Sequence, residues 1–237
     1  MGATAPLDIV HKMEQLSPDV QLRTLFKLNA DGRIVSTREP GSSPGPAFVL
    51  IRSPTRCTWG VRAGIPDEIA RELNRLAREE PPVTDFRDPP IHSNQYSALV
   101  GGEIEFGPSF TFPDVVAEPA NITVLVDMRM LEHHFRGWVA DEIAERSPIL
   151  AVVENGHAVS VCFCARRSDA AAEAGVETAA AFRGHGLAAR VTAGWALAIR
   201  SAGLLPIYST SWSNQGSLAV ARKIGLRASA SVWSASG

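Results

Sequence analysis

The chain has 237 residues, 45% hydrophobic and 20% charged, enough for one to two domains with a sizeable core, which excludes disorder as a reading of the whole. Its 23 Lys and Arg against 25 Asp and Glu give a net charge of −2, which argues against a nucleic-acid-binding tail or a membrane-surface protein. The total hides a split: every acidic side chain lies at or before Glu177, so Thr178–Gly237 carries +6 on Arg183, Arg190, Arg200, Arg222, Lys223 and Arg227 and the first 177 residues carry −8.

No apolar run reaches the roughly 18 residues of a membrane span, and the segment before Asp8 lacks the basic and apolar regions of a signal peptide, so the expectation is a cytoplasmic protein. In chain order, Leu7, Val10, Met13 and Leu16 fall at helical spacing, and Val20, Leu22, Phe26 and Leu28 alternate as a strand running into an Asp31-Gly32 turn. The stretch 39–46, Glu-Pro-Gly-Ser-Ser-Pro-Gly-Pro, is a loop. Strands are expected over 47–52 and 57–62, then a helix opened by Pro66, with Asp67 and Glu68 in its first turn, Ile69, Leu73 and Leu76 as its buried stripe, and Pro81-Pro82 as its stop. Residues 83–118 are punctuated by proline, with short apolar pieces at 96–100 and 106–112 and no catalytic motif.

The composition changes near residue 118, which divides the chain into an N-terminal α+β region, 1–117, and a second unit, 118–237. In the second unit, 122–126 reads as a strand, 128–146 as helical and 149–153 as a strand. Asn155-Gly156 turns that strand into another over 158–165. His133 and His134 are adjacent, not four apart, so they give no metal pair, and no metal site is expected. Cys162 and Cys164 share a strand face about 7 Å apart and read as buried small hydrophobes; with Cys57 they make no disulfide framework.

A further strand, 175–178, leads into Arg183-Gly184-His185-Gly186-Leu187-Ala188, and the following helix has Leu187, Val191, Trp195 and Ile199 as its buried stripe. Two glycines at a helix start expose backbone N–H groups at the positive end of the helix dipole, a ready anion site. The turn has no lysine for a P-loop. Gly184-x-Gly186-x-x-Ala189 fits a dinucleotide fingerprint, but no acid follows Glu177 to hold a ribose.

The turn resembles the (Gln/Arg)-x-x-Gly-x-(Gly/Ala) motif of the GNAT superfamily of N-acetyltransferases, whose backbone amides hold the pyrophosphate of acetyl-coenzyme A. Asn214-Gln215-Gly216-Ser217, followed by Lys223-Ile224-Gly225-Leu226, resembles the superfamily's later Asn-x-x-Ala/Ser and Lys-x-Gly-Phe/Leu helix, after a strand over 206–211. The resemblance covers about 119–237.

It implies an α/β (α+β) fold: a mixed sheet flanked by helices, with fourth and fifth strands splayed so that the pantetheine arm lies between them, beside a smaller N-terminal α+β region. The fourth strand would end at Gly175-Val176-Glu177-Thr178 and the fifth would span 205–211. Cofactor-binding residues would be Val176, Thr178, Arg183, Gly184, His185, Gly186, Leu187, Ala188 and Asn214, with Arg183 and Arg190 nearest the phosphates and Asn214 either on the pantetheine or capping its helix. The implied reaction is direct attack of a primary amine on the thioester of acetyl-CoA, with a base, an oxyanion donor and an acid. Glu177 is the expected base, ahead of Glu173. Relatives carry a Tyr acid seven residues after the Asn, where this chain has Ala221, and Tyr208 is the substitute. The other function open to the chain is an acetyl-CoA-binding sensor or interaction module without turnover. The N-terminal region is read as a lid over the acceptor site, a degenerate second copy of the fold or a surface for a homodimer.

Overall fold

The computed structural model describes residues 16–237. The helical spacing read over 7–16 falls on residues that, apart from Leu16, lie outside that range. The first described element is a helix, α1 (Pro18–Leu25), and not the strand expected there; only β1 (Phe26–Leu28) is extended, paired with β2 (Ile34–Thr37). Ser17 and Pro18 explain the difference. The Ser17 hydroxyl accepts from the Val20 amide, Pro18 fills the first turn, and Leu22 and Leu25 then bury one helical face.

β3 (Phe48–Arg52), β4 (Cys57–Val61) and α2 (Asp67–Glu79) stand where expected. The first apolar piece of 83–118 is a helix, α3 (Ser93–Val100), and the second is β5 (Ile104–Thr111). In the second unit β6 (Thr123–Val124) is short. The helical stretch expected over 128–146 is reduced to a 3-10 turn (Met128–Met130) and one α-turn, α4 (Glu142–Glu145). Leu131 and Phe135 are buried from this irregular segment, which explains the helix-like spacing.

β7 (Leu150–Glu154) and β8 (His157–Arg167) are joined by Asn155-Gly156, both at positive φ, 51° and 81°, as a type I′ turn demands. β9 (Ala171–Thr178), α5 (Leu187–Ser201), β10 (Leu205–Ser209), α6 (Gln215–Ile224) and β11 (Arg227–Ala235) complete the chain. All four stripe residues of α5 are buried, each worth roughly 1.5–3 kcal/mol of apolar transfer. Cys162 and Cys164 are buried beneath this helix.

Nine strands form one mixed sheet in the order β4-β3-β11-β5-β10-β9-β8-β7-β6. Helices α2, α3, α5 and α6 cover one face, and α1 with the 128–145 segment covers the other. β3 is therefore buried on both sides, Phe48 and Leu50 facing α2 and Val49 and Ile51 facing α1. β5, from the first half of the chain, lies between β10 and β11, from the second. The two halves thus share one sheet. Among the described residues no helix is long and apolar enough to cross a membrane.

Candidate active site

β9 and β10 run parallel, and their pairing is brief: Leu205 with Ala171, Pro206 with Ala172, Ile207 with Glu173. Beyond Glu173 the strands part, leaving Ala174–Thr178 with no strand on the β10 side. The cause is visible in β10, which follows its other neighbour. It pairs with β5 through Ser209↔Ser109, and the chain beyond keeps to that strand, with the Thr210 amide donating to Pro108 O and the Trp212 amide to Phe106 O, both at 3.2 Å. Gly107 permits the close approach, since a Cβ there would collide with the Thr210 carbonyl and stand 2.6 Å from Ser211 Cα.

The gap opens into a cleft of about 770 Å³, walled by Val176, Tyr208, Asn214 and Ser217 on the helix side and by Glu39, Arg166 and Glu173 on the other. The glycine turn lies at the end of β9, after a 3-10 turn (Ala180–Phe182). Gly184 and Gly186 have φ of 83° and 76°, and Gly186 is the N-cap of α5. Among the described residues the amides of Gly184, His185 and Gly186 donate to no backbone carbonyl, and those of Leu187, Ala188 and Ala189 open the helix without intrahelical partners. This is a cradle of donors suited to a pyrophosphate. Lys223, which sequence reasoning did not include, completes it: its Nζ reaches from α6 to where a Cβ on Gly186 would stand.

The other expected binding residues are placed as follows. Arg183 is exposed and its Nε donates to Thr178 O at 3.2 Å; Arg190 donates to Ala120 O at 2.7 Å and so ties down the linker. The ring of the exposed His185 lies against Phe182 O, and the Thr178 hydroxyl is 2.8 Å from that of Ser160. Asn214 does cap its helix, its Oδ1 accepting from the Ser217 amide at 3.0 Å, while the residue also lines the cleft.

Tyr208 and Glu177 part company. Tyr208 is buried against Phe110, with its hydroxyl donating to Ser217 O at 3.3 Å beside the cleft; burial pushes the phenol pKa up, so the proton is retained. Ala221 is buried one turn further along α6. Glu177 is exposed and lines a separate pocket with His134, Trp138 and Arg146. Glu173, on the same face of β9 four residues earlier, has a side chain 6% exposed and lines the main cleft. His133 meets His134 edge to face with centroids 4.4 Å apart and stacks on His157 at 4.7 Å, yet among the described residues no group of three or more His, Cys, Asp or Glu could hold a metal ion.

The family model described as GNAT acetyltransferase matches residues 149–231, the segment that carries the splayed strands and the glycine turn. Over residues 149–231 the chain is similar to GNAT acetyltransferases. No curated protein sequence matches the chain. Among solved structures, GNAT-family acetyltransferases from Novosphingobium aromaticivorans and Colwellia psychrerythraea are 19% and 15% identical, with TM-scores of 0.46 each, over 57% and 60% of this chain. The chain spans 66% and 62% of the length of those two proteins. A tandem GNAT protein from the clavulanic acid biosynthesis pathway is 14% identical over 82% of this chain and 85% of its own, with a TM-score of 0.43.

Proposed function

We propose that the protein is an acetyl-CoA-dependent N-acetyltransferase acting on a primary amine by direct attack. The observation that carries this reading is the parting of β9 and β10 beyond Glu173, with the glycine turn at the end of the opened strand. The residues present fit the cosubstrate. The free edge of β9 at Val176 and Thr178 offers backbone partners to an amide-bearing pantetheine. Asn214 faces the same gap, and the amides of 184–189 with Arg183 and Lys223 meet the phosphates. When bound, acetyl-CoA supplies a thioester carbonyl carbon open to attack.

Glu173 is our choice for the base, in place of Glu177, because its carboxylate stands in the cleft that the gap opens into. It accepts a proton from the acceptor nitrogen. Tyr208 holds a proton at its phenolic oxygen on the opposite wall and occupies the role for which Ala221 has no side chain. Incubating the full chain with acetyl-CoA and a panel of amines should release free thiol in an amine-dependent way; no release across the panel overturns the reading. Ala221 favours a second reading, an acetyl-CoA sensor without turnover, whose signature is tight cofactor binding by calorimetry with no thiol release.

A further inference from the structure

On the acceptor side of the cleft, β8 and β9 pair in regular register from Ser160↔Thr178 to Cys164↔Ala174, and then the register shifts, so that Arg166 instead of Ala165 stands opposite Glu173. A one-residue slip moves a side chain to the other face of a sheet. This bulge therefore places Arg166 on the face of Glu173, inside the cleft and away from the α5 core. Its Nη1 donates to Glu173 Oε2 at 2.7 Å, and its Nη2 donates to Glu39. Glu39 opens the loop 39–46, which is pinned by the Thr37 amide on Ser43 O and by Arg62 on Gly45 O, and whose Ser43, Pro44, Gly45 and Pro46 wall the cleft. Two carboxylates share one guanidinium, so this wall carries one surplus negative charge. Arg62 lines the cleft too and offsets that charge, although its hydrogen bonds go to the carbonyls of Gly45 and Ser236. Glu103 and Glu105, which form no ion pair among the described residues, then leave the lining with four carboxylates against two guanidiniums, a net −2.

We propose that Arg166 is a positioning residue that aims Glu173 at the acceptor nitrogen and, through Glu39, makes the loop 39–46 the acceptor-side wall, one that selects alkylammonium substrates lacking a carboxylate. The proposal rests on the acetyl-transfer reading and names the class of its acceptor. A carboxylate on the substrate would meet Glu39, Glu103 and Glu105 with both guanidiniums that line the cleft, Arg62 and Arg166, already engaged, whereas an ammonium neutralises the surplus charge.

The test uses propylamine and β-alanine, which differ only in exchanging a methyl for a carboxylate. Each is titrated by calorimetry into the full chain in the presence of coenzyme A, and thiol release from acetyl-CoA is followed in parallel. Wild type should bind propylamine at least about tenfold more tightly than β-alanine. Glu39→Gln should weaken propylamine binding about fivefold or more while coenzyme A affinity, measured by the same method, stays constant and reports an intact fold. Arg166→Gln should lower kcat more than it raises the amine KM, and Arg166→Lys should restore part of the kcat. Equal affinity for the two amines, no binding of either, or wild-type propylamine affinity in Glu39→Gln overturns the proposal. Binding with the expected selectivity but no thiol release overturns the transfer reading and leaves the wall; thiol release with wild-type kinetics in both variants overturns the wall and leaves the transfer reading.

Discussion

Gly186 and Lys223 show how a cradle of hydrogen-bond donors is assembled from two distant pieces of chain. The glycines were legible because a helix start at positive φ excludes most side chains, and the pattern of two glycines one apart stands out. Lys223 was not, since its Nζ reaches the turn only through the packing of α6 against α5, although it is one of six bases in a stretch without acids. Gly186→Val places a branched side chain at φ of 76° and drives Lys223 away; it should cost about 1–3 kcal/mol of stability and lower coenzyme A affinity at least about tenfold. Lys223→Ala should leave the melting temperature within a degree or so and weaken coenzyme A binding about three- to tenfold, with a shallower dependence on salt than wild type. The proposed base was less legible for a related reason. Glu173 and Glu177 share a face by strand alternation, and only the bulge at Ala165, the arrival of Glu39 and the separate pocket around His134 distinguish them.

At the scale of elements, local chemistry was readable where it was strong. Asn155-Gly156, the loop 39–46 and the stripe of α5 needed no tertiary context. α1 was misread because Val20, Leu22, Phe26 and Leu28 alternate across a helix–strand junction, while the cap at Ser17 sets the true period. The segment 128–146 has the spacing of a helix but is held as turns, Leu131 and Phe135 filling the core beneath β7 and β8. The splay could not be read from β9 or β10 alone, because it depends on β5 drawing β10 aside at Gly107. Gly107→Val should force Thr210 off β5, lower stability by about 1–3 kcal/mol and reduce coenzyme A affinity, whereas the same substitution at the exposed Gly137, where a Cβ meets nothing within 4 Å, should leave coenzyme A affinity near wild type. Calorimetry and thermal denaturation of the two variants check this.

Across the whole molecule, the charge split has two uses. Arg183, Arg190 and Arg200 donate to main-chain carbonyls, Arg200 to those of Phe112, Pro113 and Asp114, so part of the basic tail fastens the linker between the halves. Lys223 remains at the anion cradle. The acidic remainder furnishes Glu39, Glu103, Glu105 and Glu173 to the opposite wall. The sequence boundary near residue 118 marks a change in composition, and across it runs one continuous sheet, with β5 between β10 and β11. A fragment of residues 118–237 would leave both of those strands without their shared neighbour and expose the core face of β11. Expressed alone it should be aggregated or unfolded by circular dichroism; a stable, coenzyme A-binding fragment would contradict the shared sheet.

The central claim is that acetyl-CoA lies along the opened edge of β9 with its phosphates on the turn before α5. Hydrogen exchange of the full chain with and without acetyl-CoA tests it most directly. Protection is expected at the amides of Ala174, Val176 and Thr178, which face away from β8, and at those of Gly184–Ala189, where the free protein offers unpaired donors. Saturable binding with no change in exchange across those two segments would contradict it.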